Sequence, residues 1–223
     1  MPRRKRFTVD NGVYHILSRG NNRQQVFKKD EDFKQFINIV KHYKTKFNLK
    51  IYHYQIMSNH FHFIIEAKEG RKLSEAFRGI KLLYTQYYRE KYGGSGHLWE
   101  DRFKSFIIEK GRYLSECGRY IELNAVRAGI VNQPEDYKWS SYRAYSFGEK
   151  NELVDLSPEY LGLGETAEIR QRLYKEFIAD GHKEKRKSNR FFKSGVYGSK
   201  EFIDGLKKEG LKPLWSHKGR PKK

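Results

Sequence analysis

The sequence has a single cysteine, Cys117, among its 223 residues, and it has no long apolar segment. One thiol excludes an intramolecular disulfide. No stretch approaches the run of about 18 apolar residues that a membrane-spanning helix needs. No apolar segment follows the basic N-terminus, so we expect no signal peptide, and no internal repeat is visible. These absences exclude a disulfide-stabilised or membrane-embedded protein and favour a cytoplasmic one.

Acidic residues are also scarce, because 46 Lys and Arg stand against 27 Asp and Glu, for a formal net charge of +19. The excess is concentrated at the ends: residues 1–6 contribute +4 and residues 183–223 contribute +10. A charge this large is usually tolerated for the sake of a polyanionic partner. We therefore expect nucleic acid. An anionic membrane surface is the alternative, but neither basic end has an apolar face to insert.

Hydrophobic periodicity predicts alternating strands and helices along the first two thirds of the chain. Their β-α-β-β-α-β order, followed by a further helix, is typical of a ferredoxin-like α+β fold, in which an antiparallel four-stranded sheet carries its helices on one face. We predict strands at 12–20, 49–57, 60–67 and 97–109, and helices at 30–47, 72–92 and 112–129.

The pattern weakens after about residue 148. Helical periods recur at 165–181 and 199–210, separated by a charged run and followed by a basic tail. We therefore predict two parts: a globular domain over residues 1–148 and a helical, basic C-terminal extension over residues 149–223.

Two histidines, His60 and His62, lie one residue apart in the predicted strand "HFHFIIEA". Strand side chains alternate between faces, so Phe61 and Phe63 share the face that packs on the helices, while the histidines share the opposite, open face. Residues two apart on a strand are separated by roughly 7 Å, so their ring nitrogens can converge on one metal ion. The alternative is an ordinary pair of surface or core histidines, and a metal site needs a third ligand.

The predicted helix at 112–129 offers candidates for that ligand. Tyr113, Tyr120, Asn124 and Arg127 fall together on one shoulder, beside a stripe of buried apolar residues. Tyr120 and Asn124 are four residues apart and are therefore neighbours on the helix surface. The alternative is that Tyr120 is a boundary residue of an amphipathic helix and Asn124 a polar residue near a helix end.

Four segments, in this order and spacing, carry a family resemblance: "NHFHFII", "LWEDRFKSFII", "YIELNAVRAGIV" and "DYKWSSYRAY". Over residues 9–147 the chain resembles the single-tyrosine HUH transposases, and within them the REP-associated tyrosine transposases. His60 and His62 match the His-hydrophobic-His motif, Tyr120 matches the nucleophile, and Asn124 matches the third metal ligand. Ser58 and Ala125 stand where the family often has proline.

The resemblance implies a metal-dependent endonuclease and strand transferase that cleaves single-stranded DNA near hairpins through a 5′-phosphotyrosine intermediate. It also implies Mg²⁺ or Mn²⁺ as cofactor, and single-stranded DNA and DNA hairpins as partners. Relatives include dimers that share active sites, so a homodimer, with Tyr120 acting in cis or in trans, is left open. Tyr113 is the rival nucleophile, but only Tyr120 is followed one turn later by an amide.

Basic side chains near the predicted site are candidates for DNA contact, with solvated surface as the alternative. A basic tail could clamp a duplex stem, or it could be solvated. Two other functions remain open: a non-catalytic nucleic-acid-binding protein that keeps a remnant site, and another HUH nuclease such as a replication initiator. The candidate DNA-contacting residues are Arg19, Arg23, Arg102, Lys104, Arg119 and Arg127.

Overall fold

A computed structural model describes residues 6–183 and 195–211 of the chain, without the side chains of residues 182 and 183. The predictions for the basic residues 1–5, for the charged run 184–194 and for the tail 212–223 lie outside these ranges. Five strands are described: β1 (Gly12–Arg19), β2 (Leu49–Met57), β3 (His60–Ala67), β4 (Lys104–Ile108) and β5 (Val196–Tyr197). The helices are α1 (Asp30–Lys46), α2 (Lys72–Tyr92), α3 (Arg112–Glu122), α4 (Asn124–Arg127), α5 (Tyr142–Phe147), α6 (Pro158–Leu161), α7 (Ala167–Lys183) and α8 (Lys200–Lys208).

The five strands form one sheet in the order β2-β3-β1-β4-β5. The first four strands pair antiparallel, in the ferredoxin-like order, and the predicted α+β fold class is confirmed. Strand β5 was not predicted. It pairs parallel to β4 through Ile107 and Ile108, and it widens the sheet at that edge.

Strand β4 is much shorter than the predicted 97–109. Residues 98–100 form instead a loop docked on the end of β1, where Trp99 bridges to Gly20 and the Glu100 amide donates to the Arg19 carbonyl at 2.9 Å. The apolar residues of this stretch indicated a strand because Leu98, Trp99 and Phe103 are buried, but they are buried as part of a loop.

The two faces of the sheet carry different helices. Phe61 and Phe63 are buried in the aromatic core against α1 and α2, as the alternation of β3 predicted. The opposite face is covered by α3, whose Leu114 and Ile121 pack on Ile64. The prediction that helices lie on one face only, and that the histidine face is open, is therefore wrong. The apolar stripe of α3 needs a surface to bury, and this face of the sheet supplies it.

The predicted helix at 112–129 is interrupted, with α3 ending at Glu122 and α4 beginning at Asn124. Leu123 between them has φ −88° and ψ 1°. Leu123 is buried in a second core built from tyrosines of α5, α6 and α7: Tyr142, Tyr145, Tyr160 and Tyr174. The helical period of the sequence did not predict this break, because Leu123 packs on helices α5, α6 and α7, which come later in the chain.

The helices predicted at 165–181 and 199–210 are present as α7 and α8. Helix α7 packs beside α3 and α5, and Leu206 of α8 joins the aromatic core. The boundary at residue 148 stays a prediction. Within the described ranges, no helix combines the length and the apolar character needed to cross a bilayer.

Candidate active site

His60 and His62 lie at the start of β3, on the face that α3 covers. Their ring centroids are 5.1 Å apart and the ring planes are nearly perpendicular, at 84°. His62 is buried at 5% exposure, and His60 is half-buried. The pair therefore lies in a partly enclosed space between sheet and helix, which shields it from bulk water on one side.

Both imidazoles are oriented by a neighbour at Nδ1. His60 Nδ1 lies 2.5 Å from Asn59 Oδ1, and His62 Nδ1 lies 2.8 Å from His15 Nε2. An Nδ1–H that donates to these acceptors leaves Nε2 with a lone pair, which is the tautomer that a metal-binding histidine needs. His15 is a site residue that sequence reasoning missed. Its only signal was its place on β1, which pairs with β3.

Burial keeps this histidine cluster neutral. It lowers the pKa of His60 to about 4, with a further contribution from the Arg19 charge. It lowers the pKa of His15 to about 3, and it lowers that of His62 well below the ordinary value, helped by the two neighbouring histidines. A histidine binds a metal ion only in its neutral form, so the three rings are in the state that metal binding requires at neutral pH.

Tyr120 of α3 lies directly against the histidines. Its ring centroid is 6.2 Å from that of His62 and 6.4 Å from that of His15, edge-on in both cases. Burial raises the pKa of the phenol to about 12, and the Arg127 charge opposes this shift. The Arg127 guanidinium carbon lies 5.4 Å from the Tyr120 ring centroid, and Nη1 donates to the Tyr120 carbonyl at 3.1 Å. The predicted nucleophile and one predicted metal ligand, His62, thus come into ring contact within one chain.

Asn124 is the first residue of α4, one helical turn beyond Tyr120. It is half-buried, and its Nδ2 atom is buried with no hydrogen-bond partner among the described residues. A buried amide that is not satisfied by the protein indicates that a further group belongs beside it. The break at Leu123 places this amide at a helix start rather than in a helix interior.

A buried polar cluster holds the end of α3 in place. Glu122 is fully buried, and its Oε1 accepts from Ser141 Oγ at 2.6 Å and lies 3.1 Å from His53 Nδ1. His53 in turn stacks on Tyr145, with ring centroids 4.5 Å apart. Gly118 is required beside it, because a Cβ at that position would lie 2.7 Å from His53 Nε2. The cluster fixes the segment that carries Tyr120 and Asn124.

We expect Glu122→Ala to lower the stability of the protein by about 3 kcal/mol, because the buried Ser141 hydroxyl and His53 imidazole would lose their shared partner. For a chain of this size the melting temperature would fall by about 6–12 °C. Circular dichroism melts measure this, with Glu90→Ala, an exposed glutamate of α2, as the matched control. Equal melting temperatures for the two variants would contradict the role given to the cluster.

The predicted DNA-contacting residues separate into two groups. Arg19, Arg23 and Lys104 surround Glu100 near the histidine end of β3. Arg19 Nε donates to Glu100 at 2.7 Å and pairs with His60 in the sheet register. The pKa of Glu100 is lowered by this hydrogen bond first, and further by the charges of Lys104 and Arg23.

The other three predicted arginines do not adjoin Glu100. Arg102 is exposed in the loop before β4. Arg127 contacts Tyr120, as described above. Arg119 points away from the histidines onto α7, where its guanidinium carbon lies 4.5 Å from the Phe177 ring centroid. The structure therefore gives Arg119 a packing contact between helices.

His60 and His62 are two neutral imidazoles, which are donors of the kind that divalent transition-metal ions accept. Among the described residues, no three His, Cys, Asp or Glu side chains are grouped to hold a metal. An ion bound by His60 and His62 would therefore need a ligand of another kind. The predicted third ligand, Asn124, is of another kind, because its side-chain amide carries an oxygen, and amide oxygen and nitrogen exchange places by rotation of the side chain.

Comparison with known proteins identifies the family of this chain. The family model described as "Transposase IS200 like" matches residues 8–124, more than half of the chain. Among solved structures, the REP-associated tyrosine transposase bound to a REP hairpin is similar with a TM-score of 0.56 at 21% identity, over 70% of this chain and 93% of that one. No curated protein sequence matches the chain.

Two further solved structures are less similar. A transposase from Deinococcus radiodurans has a TM-score of 0.38 at 16% identity, over 55% of this chain and 95% of that one. The tRNA(His) guanylyltransferase from Saccharomyces cerevisiae has a TM-score of 0.41 at 12% identity, over 79% of this chain and 82% of that one. Likenesses this weak carry no argument. The family model, which spans the strand of His60 and His62 and the helix of Tyr120, shows that this chain belongs to the IS200-like transposase family, and its fold is that of a REP-associated tyrosine transposase.

Proposed function

We propose that this protein is a metal-dependent endonuclease and strand transferase for single-stranded DNA, with Tyr120 as nucleophile. The observation that carries the proposal is the contact of the Tyr120 ring with His62, beside a second histidine whose Nε2 is left available. A phenol, two neutral imidazoles and an unsatisfied amide at one place have a chemical use together.

His60, His62 and Asn124 would hold Mg²⁺ or Mn²⁺, and two imidazoles with one amide favour Mn²⁺ somewhat. When bound, the ion neutralises charge on a non-bridging phosphate oxygen and helps to orient the phosphate. The enclosing α3 keeps the Tyr120 hydroxyl on the same side of the sheet as the histidines. Arg127 adds positive charge on the side of the phenol, which favours loss of its proton.

The Tyr120 oxygen would attack phosphorus, forming a Tyr–O–P bond as the bond from phosphorus to the 3′ oxygen breaks. The phenolic proton leaves to solvent, and the released 3′ oxygen takes up a proton. The downstream strand stays attached through its 5′ phosphate. One phosphodiester replaces another, so the 3′ hydroxyl of another strand can reverse the step without ATP. This balance makes the activity strand transfer rather than simple hydrolysis.

The substrate we propose is single-stranded DNA next to a hairpin, because the structurally similar REP-associated tyrosine transposase is bound to a REP hairpin. Tyr120 and His62 of one chain already touch, so we propose that Tyr120 acts on the phosphate held by its own chain. On this proposal a single chain supplies every residue of the site. We propose a cytoplasmic location, in keeping with the basic charge and a DNA substrate.

Covalent capture tests the proposal directly. The unaltered protein is incubated with Mn²⁺ and a hairpin oligonucleotide that carries a single-stranded flank and a label at its 3′ end. We expect a protein–DNA adduct on a denaturing gel, lost when EDTA removes the metal and reversed by an added 3′-hydroxyl strand. DNA binding without any adduct would favour a non-catalytic binding protein instead. An adduct that forms equally on unstructured single strands would favour another nuclease of the same chemistry.

A further inference from the structure

A groove runs along the outer side of α2, away from the face that carries the histidines. Its volume is about 880 Å³. One wall is α2, and the other is formed by residues 96–103 together with Arg6 and Thr8. The volume lies within the range of pockets that enclose drug-sized ligands. The groove therefore has room for a short length of single strand.

The α2 wall is a row of basic side chains. Arg71 and Arg78 are seven residues apart, and Arg78 and Arg89 are eleven apart, which is close to two and three whole helical turns. The three arginines therefore lie on one side of the helix, and Lys81 lies at the edge of that side. At about 1.5 Å per residue the row from Arg71 to Arg89 spans about 27 Å. Such spacing along a helix gives a linear arrangement of charge, suited to a linear polyanion rather than to a compact anion.

Three basic side chains of the groove donate hydrogen bonds to uncharged acceptors. Arg6 donates to Ser74 Oγ at 3.0 Å, Lys81 donates to the Asp101 carbonyl at 2.6 Å, and Arg89 donates to the Gly96 carbonyl at 2.5 Å. These acceptors orient the cations without cancelling their charge. Six basic residues line the groove against three acidic ones, and one of the three, Glu100, is already bonded to Arg19. The basic lining residues are Arg6, Arg71, Arg78, Lys81, Arg89 and Arg102.

Two cations of the groove, Arg6 and Lys81, are partly desolvated, and burial is the main cause of their lowered pKa values. Burial lowers the pKa of Lys81 to about 8, although the nearby Asp101 opposes the shift. Burial, with a further contribution from Arg102, lowers the pKa of Arg6 to about 10. A bound polyanion would stabilise the charged forms of these two partly buried groups, so a phosphate-bearing ligand suits the groove.

One end of the groove adjoins the candidate active site. Glu100 lines the groove and bonds to Arg19, and Arg19 pairs with His60 across the sheet register. The Leu98 carbonyl accepts from the Asn21 amide at 2.9 Å, so the loop that forms the second wall is fixed to the end of β1. A strand that leaves the histidine end of β3 would therefore reach the groove around this edge of the sheet.

We propose that this groove binds the phosphate backbone of the single-stranded segment that continues from the cleaved phosphodiester. The inference rests on the proposed function for the identity of the ligand, and it adds a site for the part of the substrate that does not react. The contacts are to phosphates rather than to bases, because the wall is built from arginine and lysine. We therefore expect binding there to depend strongly on salt and little on sequence.

The double variant Arg78→Ala and Arg89→Ala tests the groove. The probe is a fluorescein-labelled hairpin with an oligo-dT flank of about ten nucleotides, within the site sizes of single-strand-binding folds. The second probe is the same hairpin without the flank, and affinity is measured by fluorescence anisotropy at several KCl concentrations. All proteins carry Tyr120→Phe, so that cleavage does not disturb the measurement.

We expect the double variant to bind the flanked hairpin about tenfold more weakly and the slope of log affinity against log salt to fall by about 1.4, or 0.7 for each lost phosphate contact. Affinity for the hairpin without the flank should be unchanged. Arg172→Ala, an exposed arginine of α7, is the matched control and should change neither value. Both groove arginines are exposed on α2, where alanine maintains the helix.

An unchanged salt slope, or an equal loss for both probes, would overturn the inference. This outcome is distinct from failure of the proposed function. Absence of a covalent adduct with the unaltered protein would remove the catalytic proposal, while a selective loss of binding by the groove variant would still establish a single-strand site. Conversely, a normal adduct with a groove variant of unchanged affinity would leave the catalytic proposal in place and remove the groove.

Discussion

Tyr120→Phe is expected to abolish covalent capture and cleavage of single-stranded DNA, with a loss on the order of 10⁴-fold or more, as for the removal of other catalytic nucleophiles. The change deletes one hydroxyl and keeps the ring that lies against His15 and His62. DNA affinity should therefore stay within about twofold, because binding relies on backbone charges rather than on this oxygen. A 3′-labelled oligonucleotide on a denaturing gel measures the adduct, and anisotropy measures affinity.

Tyr113→Phe is the matched control, since Tyr113 is on the same helix and was the rival nucleophile. The structure directs it elsewhere: its ring centroid is 5.0 Å from that of Tyr197, and its hydroxyl accepts from Arg112 at 2.8 Å. We expect Tyr113→Phe to form the adduct at the rate of the unaltered protein. Full adduct formation by Tyr120→Phe together with its loss in Tyr113→Phe would reverse the assignment.

His60→Ala and His62→Ala are each expected to abolish metal-supported cleavage and to weaken Mn²⁺ binding by about a hundredfold or more, because each removes a ligand rather than an outer partner. Calorimetric titration of the protein with Mn²⁺ in the absence of DNA gives a readout that is independent of catalysis. His62 is buried, so His62→Gln, which keeps most of the volume, accompanies the alanine variant. His42→Ala, an exposed histidine of α1, is the control and should leave Mn²⁺ binding unchanged.

The variant His15→Ala distinguishes a residue that orients a metal ligand from a residue that binds the metal itself. Its Nε2 contacts His62 Nδ1, so its removal should leave both ligands in place while reducing Mn²⁺ affinity by about 10- to 100-fold. A graded series, in which the loss is larger for His60 and His62 than for His15 and absent for His42, would support the ligand assignment. Equal Mn²⁺ affinity in all four variants would return the histidines to a structural role.

The strands and long helices were predictable because their signals are local. Alternation in β3 separated Phe61 from His60, and the period of α2 set its bounds correctly from residue 72 to residue 92. These patterns arise from burial of one face of an element, which the chain encodes within a few residues. The candidate pair of Tyr120 and Asn124 could also be named from the sequence, because an amide four residues after a tyrosine is a local spacing on a helix.

Elements defined by distant contacts were not predictable in this way. The apolar residues in the run 97–109 predicted a strand rather than a loop. In the structure, residues 98–100 form a loop that backbone hydrogen bonds to Arg19 and Asn21 hold in place. The break at Leu123 depends on a tyrosine core from α5, α6 and α7, beside a carboxylate bonded to Ser141. In both cases the deciding partners are far away in sequence.

The sequence by itself determined which reactive groups this protein carries: a histidine pair on one strand face, a tyrosine and an amide one turn apart, and a large excess of basic charge. Only the tertiary structure decided that the pair is covered by α3, that His15 orients His62, and that the basic residues of α2 form one wall of a groove. The physical reason is that residue type and local spacing set which groups can react, whereas burial and ring contacts arise only when separate elements pack together.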